Sequence, residues 1–148
     1  MPRLTLPAEE AYLTRLMGFV TQMAEASGFN SERIRSIELT TEEALVNVIQ
    51  HAYPETAGNV SIDCQMDRNG RFIVEITDNG VPFDGLDFSD PDLDADLTAR
   101  QTGGLGVFLI KKMADHCRYR REGERNILTL GFEVPTYDDR KHADETNP

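Results

Sequence analysis

Residues 60–76 restrict the fold more than any other stretch of this chain. Val60, Ile62, Cys64 and Met66 alternate with polar neighbours, as do Phe72, Val74 and Ile76. A two-residue period marks a strand with one buried face. Between the runs lies Asp67-Arg-Asn-Gly70, a strong hairpin turn signal because its glycine accepts the positive φ that tight connections demand. Any fold for this chain must therefore contain that antiparallel pair. Upstream the period becomes helical. Arg3–Leu6 reads as a short edge strand, and Pro7 is placed to open a helix. Leu13, Leu16, Met17, Val20, Met23 and Ala24 then recur at helical spacing, with Gly28 as the C-terminal cap. Asn30 or Ser31 caps a second helix that runs to about His51 and is stopped by Pro54.

Downstream, residues 84–99 carry Asp84, Asp87, Asp90, Asp92, Asp94 and Asp96 with few aliphatic residues. That composition reads as a loop, long for a compact domain. Gly103-Gly-Leu-Gly106 opens a helix through about Asp115. Two closing strands are expected near Cys117–Arg121 and Asn126–Val134, with Gly123 in their turn. The order helix, helix, hairpin, loop, helix, hairpin predicts an α+β fold: a two-layer sandwich with a mixed, mostly antiparallel sheet and helices on one face. One domain is expected over residues 1–135, followed by a polar, disordered tail over 136–148.

The formal net charge is -11 for 148 residues. Binding to DNA or RNA without sequence preference needs clustered Lys and Arg, so that class is excluded. A nucleotide is not, because backbone N–H groups and a metal can hold phosphates. Cys64 and Cys117 have no metal-ligand spacing, and Cys64, on the apolar face of its strand, is expected to be a buried free thiol. No basic-then-apolar leader and no run of about 18 apolar residues is present, so a soluble cytoplasmic protein with no membrane partner is expected.

Three short motifs have residue types suited to chemistry. In the second helix Ile34, Ile37, Leu45, Val48 and Ala52 form one stripe, and Leu39 and Val46 widen the apolar surface. Ser36, Thr40, Glu43, Asn47, Gln50 and His51 share the remaining sector. A helix packed on several sides turns such a narrow sector toward a cavity or rim. Glu43 and Asn47, four residues apart, are neighbours on that face. A carboxylate and a carboxamide so placed can polarise a nucleophile and hold a divalent cation through oxygen, although the same pair also suits a solvated face. Asp78-Asn-Gly80 ends a strand. An ionised Asp accepts hydrogen bonds only, which suits an exocyclic amine, and Gly80 would let a base approach; an Asx-type turn has the same residues. The glycines before residue 107 expose N–H groups at a helix N-terminus, a phosphate cradle or a hinge. The aspartate-rich loop reads as a solvated surface or as a lid. His51 reads as a helix-end structural residue, and His116 and His142 receive no role.

Taken together, Glu-x-x-x-Asn-x-x-x-His-Ala-Tyr over 43–53, Asp-Asn-Gly-x-x-Phe over 78–83 and Gly-Gly-Leu-Gly over 103–106 resemble the histidine-kinase-like ATPase (GHKL) superfamily with the Bergerat ATP-binding fold. Within it the chain looks most like the anti-sigma factor serine/threonine protein kinases of bacterial partner-switching systems. The resemblance implies ATP and Mg²⁺ held between helices and a lid. It implies that Glu43 is the general base or orients the attacking hydroxyl, that Asn47 ligates Mg²⁺, and that Asp78 receives the adenine amine with Gly80 giving clearance. It assigns phosphate contacts to the backbone of Gly103, Gly104, Leu105 and Gly106. Such kinases often carry a basic residue directly before the glycines. Here Gln101 and Thr102 stand there, and Arg100 is the basic residue assigned to the γ-phosphate. The implied partners are an anti-anti-sigma (STAS-domain) protein bearing the acceptor Ser or Thr, and a sigma factor. The family also tends to form homodimers, and no stretch of sequence marks an interface. The alternative reading is a non-catalytic, nucleotide-gated binding module, in which ATP only orders the loop around residues 84–102.

Overall fold

The computed structural model describes residues 2–84, 86 and 104–134. Strand β1 (Arg3–Pro7) is followed by a short 3-10 turn at Glu10–Tyr12, helix α1 (Leu13–Ala26) and helix α2 (Ser31–His51). Strands β2 (Asn59–Met66) and β3 (Arg71–Asp78), helix α3 (Gly104–Met113), and strands β4 (His116–Glu122) and β5 (Arg125–Glu133) complete the order. The sheet runs β1-β2-β3-β5-β4, and each of its neighbouring pairs is antiparallel. The α+β expectation holds, with no parallel pair among the described strands.

Local chemistry accounts for the element ends. In the β2–β3 hairpin Asp67 Oδ1 accepts the N–H groups of Asn69 and Arg71 at 2.8 and 2.9 Å, and Gly70 takes φ +77°. Gly28, at φ 90°, follows the end of α1 as a left-handed cap. Asn30 caps α2 by accepting from Arg33 N at 2.8 Å. Pro7 differs from expectation. It ends β1 rather than opening a helix, and α1 begins only at Leu13. At the edge of the sheet its missing N–H costs no ladder bond, and the chain turns inward through Ala8 N donating to Gly58 O at 2.9 Å.

One face of the sheet carries the core. Val60, Ile62 and Cys64 of β2, Phe72, Val74 and Ile76 of β3, and Leu128, Leu130 and Phe132 of β5 are all buried. They join Leu16, Val20 and Ala24 of α1, Ile37, Leu45 and Val48 of α2, and Ile110 of α3 in a single cluster. The opposite face is ionic: Arg3 pairs with Asp63 at 2.8 Å, and Arg120 lies 3.7 Å from Glu75. The two layers predicted from alternation are thus present. Arg33 ties α2 to the end of α3. Its guanidinium donates to Met113 O at 3.3 Å, pairs with Asp115 and lies over the Phe132 ring. That contact supplies a partner for one of the orphan carbonyls at a helix C-terminus. Cys64 is a buried free thiol, pushed up to about 12 by burial and by neighbouring Asp63.

Candidate functional site

Asp78 closes β3 on the core face and is 5% exposed. Opposite it in the β3–β5 ladder stands Asn126, itself buried. Asn126 Nδ2 donates to Asp78 Oδ1 and to Val81 O, each at 2.8 Å. Its Oδ1 accepts from Tyr119 OH at 2.7 Å, Arg121 Nη1 at 3.1 Å and Phe83 N at 3.3 Å. Asp78 Oδ1 also accepts from Gly80 N at 2.8 Å. Burial pushes the Asp78 carboxyl above the usual range, opposed by the hydrogen bonds from Asn126 and Gly80 and by the Arg121 charge.

The segment after Asp78 is held at nearly every residue. Asn79 N donates to Tyr53 OH at 2.8 Å, and that hydroxyl donates to Asn59 O at 2.6 Å. Arg121 Nη1 donates to Gly80 O at 2.8 Å. Val81 N donates to Ala52 O at 2.9 Å. The Phe83 ring stacks on His51 at a centroid distance of 4.9 Å. Gly80 is required sterically: a Cβ there would lie 2.1 Å from Ala52 O, closer than any real contact. The result is a strap pinned to the end of α2 on one side and to β4 and β5 on the other.

Under this strap is a narrow cavity. Val48, Ile76, Phe83 and Leu128 form its apolar walls, and Asn47, Asp78, Tyr119 and Asn126 supply its polar groups. A buried carboxylate beside apolar walls matches chemically a group that carries a hydrogen-bond donor on an apolar ring. A more open cleft beyond the strap, lined by Tyr53, Gly58, Asn59, Arg121 and Glu124, contains neither Glu43 nor Asn47.

Along α2 the second end of the site begins. Asn47 is 8% exposed, lines the cavity, and has no side-chain hydrogen bond among the described residues. Its carboxamide oxygen is a hard donor of the kind that holds a divalent cation. Glu43, one turn earlier, is half-buried. Burial, then the charge of Glu42, pushes its carboxyl above the usual range. It lies against the first turn of α3: a Cβ on Gly106 would come within 2.6 Å of Glu43 Oε2. Gly106 therefore has a role not anticipated from sequence, since its bareness admits the Glu43 carboxylate beneath α3. The polar sector of α2 is not uniformly enclosed. Thr40 and Asn47 are buried, whereas Gln50 and His51 are exposed, and Leu39, expected to extend the apolar surface, is also exposed.

Gly104, Leu105 and Gly106 form the first turn of α3. Arg100 and Gly103 lie outside the described residues, as do most of the aspartate-rich loop and the tail over 136–148. No group of three or more His, Cys, Asp or Glu side chains suited to a metal occurs among the described residues. That leaves Asn47 as the metal-ligand candidate among the predicted site residues described. Sequence reading missed Asn126, Arg121 and Tyr53. A signal for Asn126 existed: it lies two residues before Leu128 in an alternating strand, which puts an amide on the core face.

The pattern of the histidine kinase-like ATPase domain matches residues 6–132, most of the chain. The chain belongs to the histidine kinase-like ATPase domain family. The serine-protein kinase RsbW from Listeria monocytogenes is 28% identical to it over 132 residues, which cover 85% of this chain and 83% of that protein. Among solved structures, the RsbU and RsbW domains of a Mycobacterium tuberculosis protein share the fold with a TM-score of 0.60 at 14% identity, covering 90% of this chain and 33% of that one. The histidine kinase domain of a blue-light activated kinase from Erythrobacter litoralis aligns with a TM-score of 0.52 at 19% identity, over 88% of this chain and 62% of that one. The chain thus spans less than two thirds of either solved neighbour. Both levels of the sequence resemblance, to the histidine kinase-like ATPases and to their anti-sigma serine-kinase branch, are matched by these relatives. No helix of the described residues is long and apolar enough to cross a membrane.

Proposed function

We propose that this histidine kinase-like ATPase domain is a protein serine/threonine kinase of a partner-switching system. It would transfer the γ-phosphoryl group of ATP to a Ser or Thr of an anti-anti-sigma, STAS-type protein, and would sequester a sigma factor. The observation that carries the kinase reading is Glu43: a half-buried carboxylate of raised basicity, under the first turn of α3 and one helical turn from Asn47. The name shared by the matched relatives supports the same class.

In this reading Asp78 accepts the adenine amine, and the pinned strap over 79–83 borders the base. The first turn of α3 directs N–H groups at the phosphates. Asn47 is the residue that would hold Mg²⁺, which supplies charge neutralisation between phosphates when bound. Glu43 takes the proton of the acceptor hydroxyl as that oxygen bonds to the γ-phosphorus. The bond from the γ-phosphorus to the bridging oxygen breaks, and ADP leaves with the electron pair. Positioning and charge stabilisation dominate such transfers. Arg100 and Gly103 are proposed contacts of the phosphates by motif position.

The test is phosphotransfer. The chain is incubated with Mg²⁺ and γ-labelled ATP together with each STAS-domain protein encoded by the same genome. Label on a Ser or Thr of one of them, lost with Glu43→Gln, is the expected result. Bound ATP with no label on any partner would overturn the kinase reading and leave the nucleotide-gated module.

A further inference from the structure

Asp78 Oδ1 is saturated. Gly80 N and Asn126 Nδ2 both donate to it at 2.8 Å, and no protein hydrogen bond reaches Oδ2 among the described residues. The orientation of the Asn126 amide is forced. Its Nδ2 faces two acceptors, Asp78 Oδ1 and Val81 O, while its Oδ1 faces donors from Tyr119, Arg121 and Phe83. A flipped amide would set donor against donor and oxygen against oxygen. The same side chain therefore touches the recognition carboxylate, the strap at residues 81 and 83, and two residues of β4.

We propose that Asn126 is a positioning residue for nucleotide recognition, occupying Asp78 Oδ1 and pinning the strap so that Oδ2 alone is presented to the base. The inference rests on the nucleotide reading above and goes beyond it, since the motifs over residues 43–53, 78–83 and 103–106 say nothing of residue 126. The Nδ2 bond to Asp78 has a second effect. Asp78 is buried, and hydrogen bonds to its ionised form oppose the rise that burial imposes. Of the groups facing Asp78, Arg121 and Tyr119 come from β4 and both donate to Asn126 Oδ1, and the Arg121 charge also acts directly on Asp78. Tyr53 lies within electrostatic reach beyond the end of α2, and its own hydroxyl is raised chiefly by burial. His51 is at the rim, stacked on Phe83. None of them replaces a neutral double donor.

The experiment compares ATP affinity by calorimetry for the full chain, Asn126→Ala and Asn126→Asp from acid to mildly alkaline pH. Affinities are taken as ratios to the unaltered chain at each pH, which cancels the titration of ATP itself. Asn126→Ala removes one of the two donors to the charged Asp78 Oδ1, together with the donor to Val81 O. Its affinity is expected to drop about ten- to hundredfold at neutral pH, with the ratio worsening on acidification as Asp78 takes up a proton earlier. Asn126→Asp keeps the volume but sets an oxygen against Asp78 Oδ1. Two facing carboxyls share a proton, so its ratio is expected to improve on acidification, the opposite slope. A uniform loss at every pH in both variants, or no loss, overturns the proposal. Should Asn126→Ala fail to fold, the slope of Asn126→Asp decides alone. If the unaltered chain binds no ATP, the nucleotide reading falls and this inference with it. If it binds ATP and the variants show no opposed slopes, only the role of Asn126 falls.

Discussion

Residues 79, 80, 81 and 83 are each tied to a different neighbour, through Tyr53, Arg121, Ala52 and Asn126. At the other end of the same site, the Glu43 carboxylate has no hydrogen-bond partner among the described residues and is bounded by the bare Gly106. In the proposed function the contrast separates two tasks. A pre-organised recognition pocket spends little of its binding energy on ordering. A reacting carboxylate held by several donors would be a poor base, because each donor stabilises its charged form. In the proposed function, the backbone of the strap is thus held by several partners at the nucleotide end, while Glu43 is left without one at the transfer end.

The strongest way to break this comparison is Glu43→Gln. It should lower phosphoryl transfer by about 10²–10⁴-fold with ATP affinity unchanged, read by single-turnover labelling and calorimetry. Loss of affinity alongside transfer would show that the two ends are not separable. The unaltered chain should show the matching pH profile. A base works only when ionised, and the Glu43 carboxyl is raised, so transfer should rise with pH and fail on acidification above the ordinary glutamate range. The folded state binds that proton more tightly than the unfolded chain does. Stability from this group is therefore gained as pH falls through the raised pKa and is lost at neutral pH. Glu43→Gln should accordingly raise Tm at neutral pH, and the gain should vanish on acidification.

Asp78→Asn is the counterpart at the reading end. It should weaken ATP binding about ten- to hundredfold by calorimetry, while transfer from nucleotide-saturated protein persists. The two glycines extend the contrast to packing. Gly80→Ala puts a Cβ 2.1 Å from a backbone oxygen that cannot swing away, so urea unfolding should show a loss of about 1–3 kcal/mol. Gly106→Ala meets only the far end of the Glu43 side chain. It should cost no stability, since Ala gains up to about 1 kcal/mol over Gly in a helix, yet should slow transfer by displacing the carboxylate. Least of all, His51→Ala removes the stack on Phe83, worth about 0.5–1.5 kcal/mol, and should weaken ATP binding only a few-fold by calorimetry.

Much of this architecture was legible from local pattern. The Asp67–Gly70 turn, the Asn30 cap and the Gly28 stop each depend on bonds that span four residues or fewer. The alternation in β2, β3 and β5 marked the core face correctly, and helical spacing put Glu43 and Asn47 on one face of α2. Pro7 was misread because a proline suits both the first turn of a helix and the end of an edge strand, and only the pairing Pro7↔Asn59 chooses between them.

By itself, then, the sequence determined the elements, the face each strand turns inward, and the residue types from which a site could be made. Only the tertiary structure decided that β5 inserts between β3 and β4, which sets Asn126 against Asp78 and Arg121 against Gly80. The physical reason is range. A cap or a turn is stabilised within one or two turns of chain, so its signal is local. The register of two strands 48 residues apart at their Asp78–Asn126 contact is chosen by the summed packing of the whole core, which no short window contains.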